Sequence, residues 1–500
     1  MSLKIIKCIR KVVIIMAKKD KIKEDKNKWF VLTLLAIAQF MVVLDVSVVN
    51  IALPHIQSAL RFSPENLQWI VTAYTLAVGG FLLLGGRVAD LYGRKRTFLI
   101  GTALFGIASL ITGFSNSETT MILARALQGL TAAFMSPAAL SIVITMFKEG
   151  KERNKALGVW AAVAAGGAAA GVLLGGIITE YASWRWNFFI NVPVALGVVY
   201  LGLKHIPEST TDLGHRHLDL RGATLVTSGL MLLVYGLTEA PSKGWTSDNS
   251  IITLGLSAIL LIGFIVNEIK VKHPLMPLQL FKIRNVLGAN LTQFPITASL
   301  FSMFFFLSLY IQTILQYSPV KSGLSFLPVT IIIGIVSGIV SSLIAKTGYK
   351  KILVIAPLVM ALGLFILAKG TPVGGTYLGD VFPGLAVMAV GLGMSFVSLT
   401  IAATSGVPKH ESGLASGVLN TSQQIGGALG LAILSGVSAS KTADVLEKAQ
   451  GQITPLVQAD ALVQGFHSAF YVGAGFAVAA SIFALFLVKD LSNTGKPLDQ

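Results

Sequence analysis

The feature that most restricts this chain is its series of long stretches with almost no charge. The hydrocarbon core of a bilayer is about 30 Å thick, so a spanning helix needs roughly 20 apolar residues at about 1.5 Å each. About fourteen such stretches, separated by polar breaks, meet that requirement: 29–54, 69–89, 97–115, 120–146, 156–180, 188–206, 222–240, 250–269, 286–315, 322–345, 352–369, 381–403, 414–437 and 469–488. With 54% hydrophobic residues, only 12% charged and a mean hydropathy of +0.74, the chain lacks the polar surface of a soluble protein. A membrane barrel would instead need strands of about ten residues alternating apolar and polar, and no stretch alternates that way. The expectation is an all-α polytopic membrane protein.

A net charge of +16 would suggest nucleic acid as the partner of a soluble protein, but its distribution points elsewhere. With the N-terminus in the cytoplasm, about 31 of the 39 Lys and Arg lie in tails and inward connections, about 7 in outward ones, and one, Arg125, within a span. That asymmetry is the positive-inside bias. It places both termini in the cytoplasm of a cell-membrane protein, with Lys489 and Lys496 flanking the last span. The basic surplus then faces anionic lipid, and no nucleic-acid partner is expected. The single cysteine, Cys8, excludes an intrachain disulfide and a Cys-rich metal site. Residues 1–28 contain ten Lys and Arg, and their apolar patch VVIIMA is too short for a signal peptide or a span. A disordered basic tail is expected there, with Met16 as an alternative start.

The spans group into parts. Residues 29–206 form one six-helix bundle and 286–490 a second; 207–285 is a linker with two extra spans, and 491–500 is a cytoplasmic tail. An internal echo supports duplication: RVADLYGRKRTFLIG (87–101) follows the second span and SLIAKTGYKKILVIA (342–356) the tenth. Aligning Gly93 with Gly348 sets Lys350 and Lys351 under Lys95 and Arg96. The polar connection 207–221 joins spans six and seven. Segment 438–468 precedes the last span outside the membrane, as either an amphipathic external helix or a loose loop.

One carboxylate sits deep in the first span, Asp45 in FMVVLDVSVVNIALP (40–54). A charged acid at mid-membrane costs about 3 kcal/mol on insertion scales, so it faces a cavity or a partner. Counted from the outer span ends at about 1.5 Å per residue, Asp45 and Arg125 lie at depths an arginine side chain can bridge. Burial raises a carboxylate's pKa and a nearby cation lowers it. A group held between the two is suited to take up and release a proton, and a static structural ion pair is the alternative. Glu239 and Glu268, near the ends of spans seven and eight, read as solvated interfacial acids.

The segment GRVADLYGRKR (86–96) makes a very short connection, in which Gly86 and Gly93 permit close approach or positive φ. Asp90 can cap a helix or pair with a guanidinium, and Arg94, Lys95 and Arg96 anchor the loop. This pattern resembles the signature loop of the major facilitator superfamily. LDVSVVNIALP (44–54), ARALQG (124–129), WRWNFFINVP (184–193), GLTEAPSKGW (236–245) and GLASGVLNTSQQIGGALG (413–430) are similar to its fourteen-span drug:proton antiporter family. The resemblance runs from about residue 30 to 490.

The resemblance implies a gating loop of Gly86, Asp90, Gly93, Arg94 and Arg96 that latches the bundles together while the site faces outward. It also implies an antiporter glycine motif at Gly158, Gly167, Gly171, Gly175 and Gly176. Val172 replaces the motif proline and removes its kink; Leu91 stands where many members carry a basic residue, and Ala345 stands opposite Asp90 in the second copy. The implied activity is export of hydrophobic drugs driven by protons, with no cofactor and a monomeric chain.

A substrate site for such compounds would be lined by aromatics and amides. Candidates are Tyr74, Phe304 with Phe305 and Phe306, Tyr310, Gln312, Asn420, Gln423 and Gln424. Spans ten and thirteen contain no Asp or Glu, which favours monocations or neutral and weakly acidic amphiphiles over dications. No phosphate-binding loop, His-Glu-x-x-His or His/Cys cluster is present, so ATP-driven pumping is disfavoured and no metal is expected. The remaining alternatives are an exporter of an endogenous metabolite or self-made antibiotic, and, from another class, a membrane enzyme or receptor.

Overall fold

The computed structural model describes residues 2–63, 66–148, 151–209, 218–244, 246–272, 274–408, 412–449 and 454–490. No strand occurs among them. The helices, in order, are α1 (Ser2–Leu60), α2 (Trp69–Tyr92), α3 (Arg94–Gly113), α4 (Glu118–Met146) and α5 (Lys151–Tyr181). They continue with α6 (Trp186–His205), α7 (Leu220–Lys243), α8 (Asp248–Lys270) and α9 (Arg284–Ile314). Last come α10 (Pro319–Thr347), α11 (Tyr349–Gly370), α12 (Tyr377–Thr404), α13 (Ser412–Lys448) and α14 (Pro455–Leu487). Among the described residues 13 helices are long and apolar enough to cross a bilayer; α5, with 31 residues, has the length for a further crossing.

Two regions differ from expectation. Residues 2–28 continue α1 as helix rather than forming a disordered tail. The first Pro is Pro54 and no Gly precedes it, so nothing in that segment interrupts helical backbone. Segment 438–468 is neither a separate external helix nor a loop where it is described. It extends α13 to 37 residues and α14 to 33, roughly 50 Å each at about 1.5 Å per residue. The extensions bind each other: Thr442 Oγ1 donates to the Ala461 carbonyl at 3.3 Å, and a Cβ on Gly465 would stand 2.7 Å from the Ser438 carbonyl oxygen.

The two halves use the same joint. α2 and α3 are separated by Gly93 alone (φ +117°), and α10 and α11 by Gly348 alone (φ +78°). A left-handed backbone without a Cβ penalty lets one helix stop and the next start at once. The ends of each half also meet. Asn27 near the start of the first bundle donates to His205 O at the end of α6 (3.5 Å), and Asn285 donates to Lys489 O past the end of α14 (3.0 Å).

One apolar cluster unites α1 to α4 and α6 through Leu35, Tyr74, Phe98, Met135 and Val198. A larger one fills α9 to α14 and takes in Val49–Ile56 of α1. The α7–α8 hairpin covers the seam between α2 and α13, where Leu76, Leu230, Val234, Ala428 and Leu429 pack together. The halves meet on the other side where α5 meets α10. A Cβ on Gly176 would be 2.5 Å from Pro319 O, and one on Gly323 would be 2.3 Å from Val172 O. Towards the opposite ends of these helices, a Cβ on Gly158, Gly166, Gly334 or Gly338 would meet no other described residue within 4 Å. The bundles are therefore closed together at the Tyr181/Pro319 end and not packed at those glycines further along.

Candidate functional site: a buried carboxylate–guanidinium centre

Asp45 and Arg125 meet inside the first bundle. Arg125 Nη1 donates to Asp45 Oδ2 at 2.5 Å, and each residue is only 1% exposed. Two buried ions need further hydrogen bonds to offset lost hydration, and the surrounding helices supply them. Gln128 Nε2 and Asn191 Nδ2 donate to Asp45 Oδ1 at 3.1 and 3.0 Å. Arg125 Nε donates to Ile70 O at 3.0 Å, and its Nη1 also reaches Gln128 Oε1 at 3.0 Å. Ser109 Oγ accepts from Gln128 and Asn191, both at 2.9 Å, and donates to Phe188 O at 3.0 Å.

Local helix geometry explains the convergence. Arg125 and Gln128 are three residues apart on α4 and share a face. Asn191 follows directly on Ile190, the turn that interrupts α6 between Phe189 and Asn191. The Arg125 guanidinium lies 4.4 Å from the Tyr74 ring centroid and 5.9 Å from that of Phe188, a cation–π arrangement strengthened by the absence of water. Tyr74, expected as a substrate-cavity residue, instead serves as the floor of this centre, and its hydroxyl has no hydrogen-bond partner. Sequence reasoning missed Gln128, Asn191 and Ser109. Gln128 had a signal, its i+3 spacing from Arg125; neutral polar residues within spans are otherwise too common to single out.

The glycine motif on α5 positions this centre. A Cβ on Gly167, Gly171 or Gly175 would meet Val43 (3.2 Å), Ser47 (2.6 Å) or the Val48 backbone (3.0 Å), the turns of α1 on either side of Asp45. Small residues at this spacing allow two helices to approach in lipid. Gly176 points the other way, to α10, while Gly158 has open space beside it. Val172 is buried and α5 runs through it as helix.

The hydrogen bonds of Asp90 lie within the first bundle. Arg94 donates to Asp90 Oδ1 through Nε (3.1 Å) and Nη2 (2.9 Å), and Ser141 of α4 lies 3.4 Å from the same oxygen. Among the described residues, Asp90 thus makes no latch to the second bundle in this conformation. A carboxylate from beyond α6 joins the loop instead: Glu208 accepts from Lys95 N (3.0 Å) and Arg96 N (3.2 Å) and lies 3.8 Å from the Arg96 side chain. It caps the start of α3, and any Cβ on Gly93 would stand 2.9 Å from its carboxyl group. A Cβ on Gly86 would be in ordinary contact with Pro137 (3.7 Å); the tight approach to α4 is at Gly85, where a Cβ would stand 2.2 Å from Ala133 O.

The other cavity candidates do not converge. Phe304 is tilted against Phe326 at 5.3 Å, Phe305 and Phe306 are core residues, and the buried Tyr310 donates to Pro372 O at 2.7 Å. Gln312 donates to Ile51 O of α1 at 2.9 Å, beside a Ser308–Asn50 bond, so it ties the bundles together near the closed end. Asn420 is exposed, Gln423 and Gln424 are half-buried, and Gln424 packs on Gly79 of α2. Glu239 pairs with Lys243. Glu268, expected to be solvated, is 4% exposed.

A helical membrane protein of two linked bundles, with an ion pair sealed inside one of them, defines a secondary-transporter architecture. The Major Facilitator Superfamily model matches residues 35–431. The chain belongs to that superfamily. It is 40% identical over 466 residues to the puromycin resistance protein pur8 of Streptomyces alboniger, covering 93% of this chain and 92% of that one. It is 38% identical to the cephamycin export protein CmcT of Amycolatopsis lactamdurans, covering 82% and 85% respectively. Its fold is similar to that of a bacterial homologue of the lysosomal transporter Spinster in an inward-facing, occupied conformation: TM-score 0.65, 14% identity, 92% of this chain and 96% of that one. A D-xylose–proton symporter is comparable, with TM-score 0.64, 14% identity and 93% and 99% coverage.

Proposed function

We propose that this protein exports hydrophobic compounds across the cell membrane in exchange for protons, with both termini in the cytoplasm. The observation that carries the reading is the Asp45–Arg125 pair, a charged group with no solvent contact in this conformation and a full set of donors around it. An ionised, paired Asp45 corresponds to the stage at which the proton has already been released. Protonation would remove half of the ion pair and leave Arg125 with an unmatched buried charge. That charge must then find water or the bundles must rearrange, and this links proton uptake to the change of access.

The contacts at the Tyr181/Pro319 end and the loosely packed opposite ends support an inward-open stage of that cycle. Gly167, Gly171 and Gly175 hold α1 against α5, so movement of one helix is transmitted to the other. The exported compounds are proposed to be monocationic, neutral or weakly acidic amphiphiles. No cofactor, metal, catalytic step or second subunit enters the cycle. The names of the puromycin and cephamycin relatives favour antibiotics as the compound class, self-made or foreign.

The test is growth of an efflux-deficient host under a panel of antibiotics with wild-type protein and Asp45→Asn. Wild type should raise tolerance to at least one compound, and Asp45→Asn should return it to the empty-host level at equal membrane abundance. Unchanged tolerance in the variant would remove Asp45 from the cycle.

A further inference from the structure

A second pair of acids lies at the base of the α7–α8 hairpin, far along the chain from Asp45. Asp219 is the N-cap of α7: its Oδ1 accepts from Gly222 N at 2.8 Å and its Oδ2 from Asn267 Nδ2 at 2.6 Å. Glu268, one residue beyond Asn267 on α8, accepts from Met276 N at 2.8 Å through Oε2. Its other oxygen, Oε1, is buried without a partner. That oxygen points at Asp219. The position a Cβ on Gly222 would occupy is 2.7 Å from Glu268 Oε1 and 2.4 Å from Asp219 Oδ2. Both oxygens therefore close on the same small volume.

The residues are 9% and 4% exposed, and no ion pair among the described residues joins either to Lys, Arg or His. Among the described residues of the hairpin, the nearest cations along the chain, Arg221, Lys270 and Lys272, have exposed side chains. On α2, Arg87 is half-buried beside Leu84 and Val88, which pack on Ala223 and Leu275. The described part of α13 carries no charged residue near its start. Two carboxylates closing on one small volume, with little water and no paired cation among the described residues, cannot both be ionised at ordinary cost. A proton between Oε1 and Oδ2 relieves the repulsion and gives the bare oxygen its partner. A metal ion is a poorer fit, since no group of three His, Cys, Asp or Glu suited to a metal occurs among the described residues.

We propose that Asp219 and Glu268 hold one shared proton and form a second proton-binding site, separate from Asp45, at the base of the inserted hairpin. While the proton is held, Glu268 keeps its bond to Met276 N and Asp219 keeps its cap on α7, so the hairpin base stays docked on α2. Release of that proton to water leaves two negative charges in one volume and loosens the base. The hairpin that covers the α2/α13 seam thereby becomes sensitive to pH on the side where its base lies.

The direct test is infrared spectroscopy of the purified full-length protein in nanodiscs, following the protonated-carboxyl C=O band as pH is raised through neutrality. It requires neither substrate nor transport, so its failure is distinct from failure of the proposed function. Wild type and Asp45→Asn should show a carboxyl band at neutral pH that disappears on alkalinisation. Glu268→Gln, which mimics the protonated form, and Asp219→Asn, which retains a helix-capping oxygen, should each lack it. Persistence of the whole band in both variants would overturn the proposal. So would loss of the wild-type band on adding sodium or magnesium at constant pH, which would make the pair a cation site.

Discussion

At the scale of single residues, the energetics of the Asp45 centre separate stability from transport. Removing one partner of a buried pair strands the other charge and costs about 3–5 kcal/mol, whereas removing both can be nearly neutral. Arg125→Ala should therefore lower the thermal midpoint in detergent markedly, and the double variant Asp45→Asn/Arg125→Gln should recover much of that loss while remaining inactive in export. Gln128→Ala removes one donor to Asp45 Oδ1 and should cost about 1–3 kcal/mol, the range for unsatisfying a buried polar group, in the same melting assay. The ion pair itself was legible in the sequence because charges within apolar spans are rare and two of them sat at matching depths. Of its neutral partners only Gln128 carried a signal, its spacing from Arg125, since Ser and Asn are ordinary span residues until a charge is shown beside them. Glu268 was hidden for the opposite reason: Lys270 and Lys272 made it look interfacial, while folding turns it inward onto Asp219.

Among the helices and their joints, the contacts that matter are the close ones. Gly171→Val would drive a side chain into Ser47, which a Cβ already approaches to 2.6 Å. It should abolish export while a tail-tagged protein still reaches the membrane at wild-type abundance, because α5 would be pushed off the turn that carries Asp45. Glu208→Ala should remove the cap on α3 and destabilise by about 1 kcal/mol, as loss of an N-terminal cap does; the same melting assay reads it. Helix number and position followed from apolar run length, since nothing but a helix can satisfy about 20 residues of backbone in lipid. The extensions of α13 and α14 escaped that argument. Their polar residues remove the apolar signal that marks a span, yet nothing in Ser438–Lys448 breaks helical backbone, and α13 continues. The glycine pattern on α5 was legible as a motif, but the sequence did not show that it has two faces, one on α1 and one on α10.

For the whole molecule, the closed contacts at one end and the ion pair sealed within one bundle describe a single stage of a cycle. Proton uptake at Asp45 is the event that must move it on. Gln312 and Ser308 of α9 bind α1 five and more residues past Asp45, so any shift of α1 reaches the second bundle directly. The measurement that tests this most directly is proton flux in proteoliposomes holding a pH-sensitive dye, with an exported antibiotic added on one side. Wild type should move protons only when the compound is present, and Asp45→Asn should move none while still binding it. Compound-dependent proton flux of wild-type size in Asp45→Asn would contradict the account.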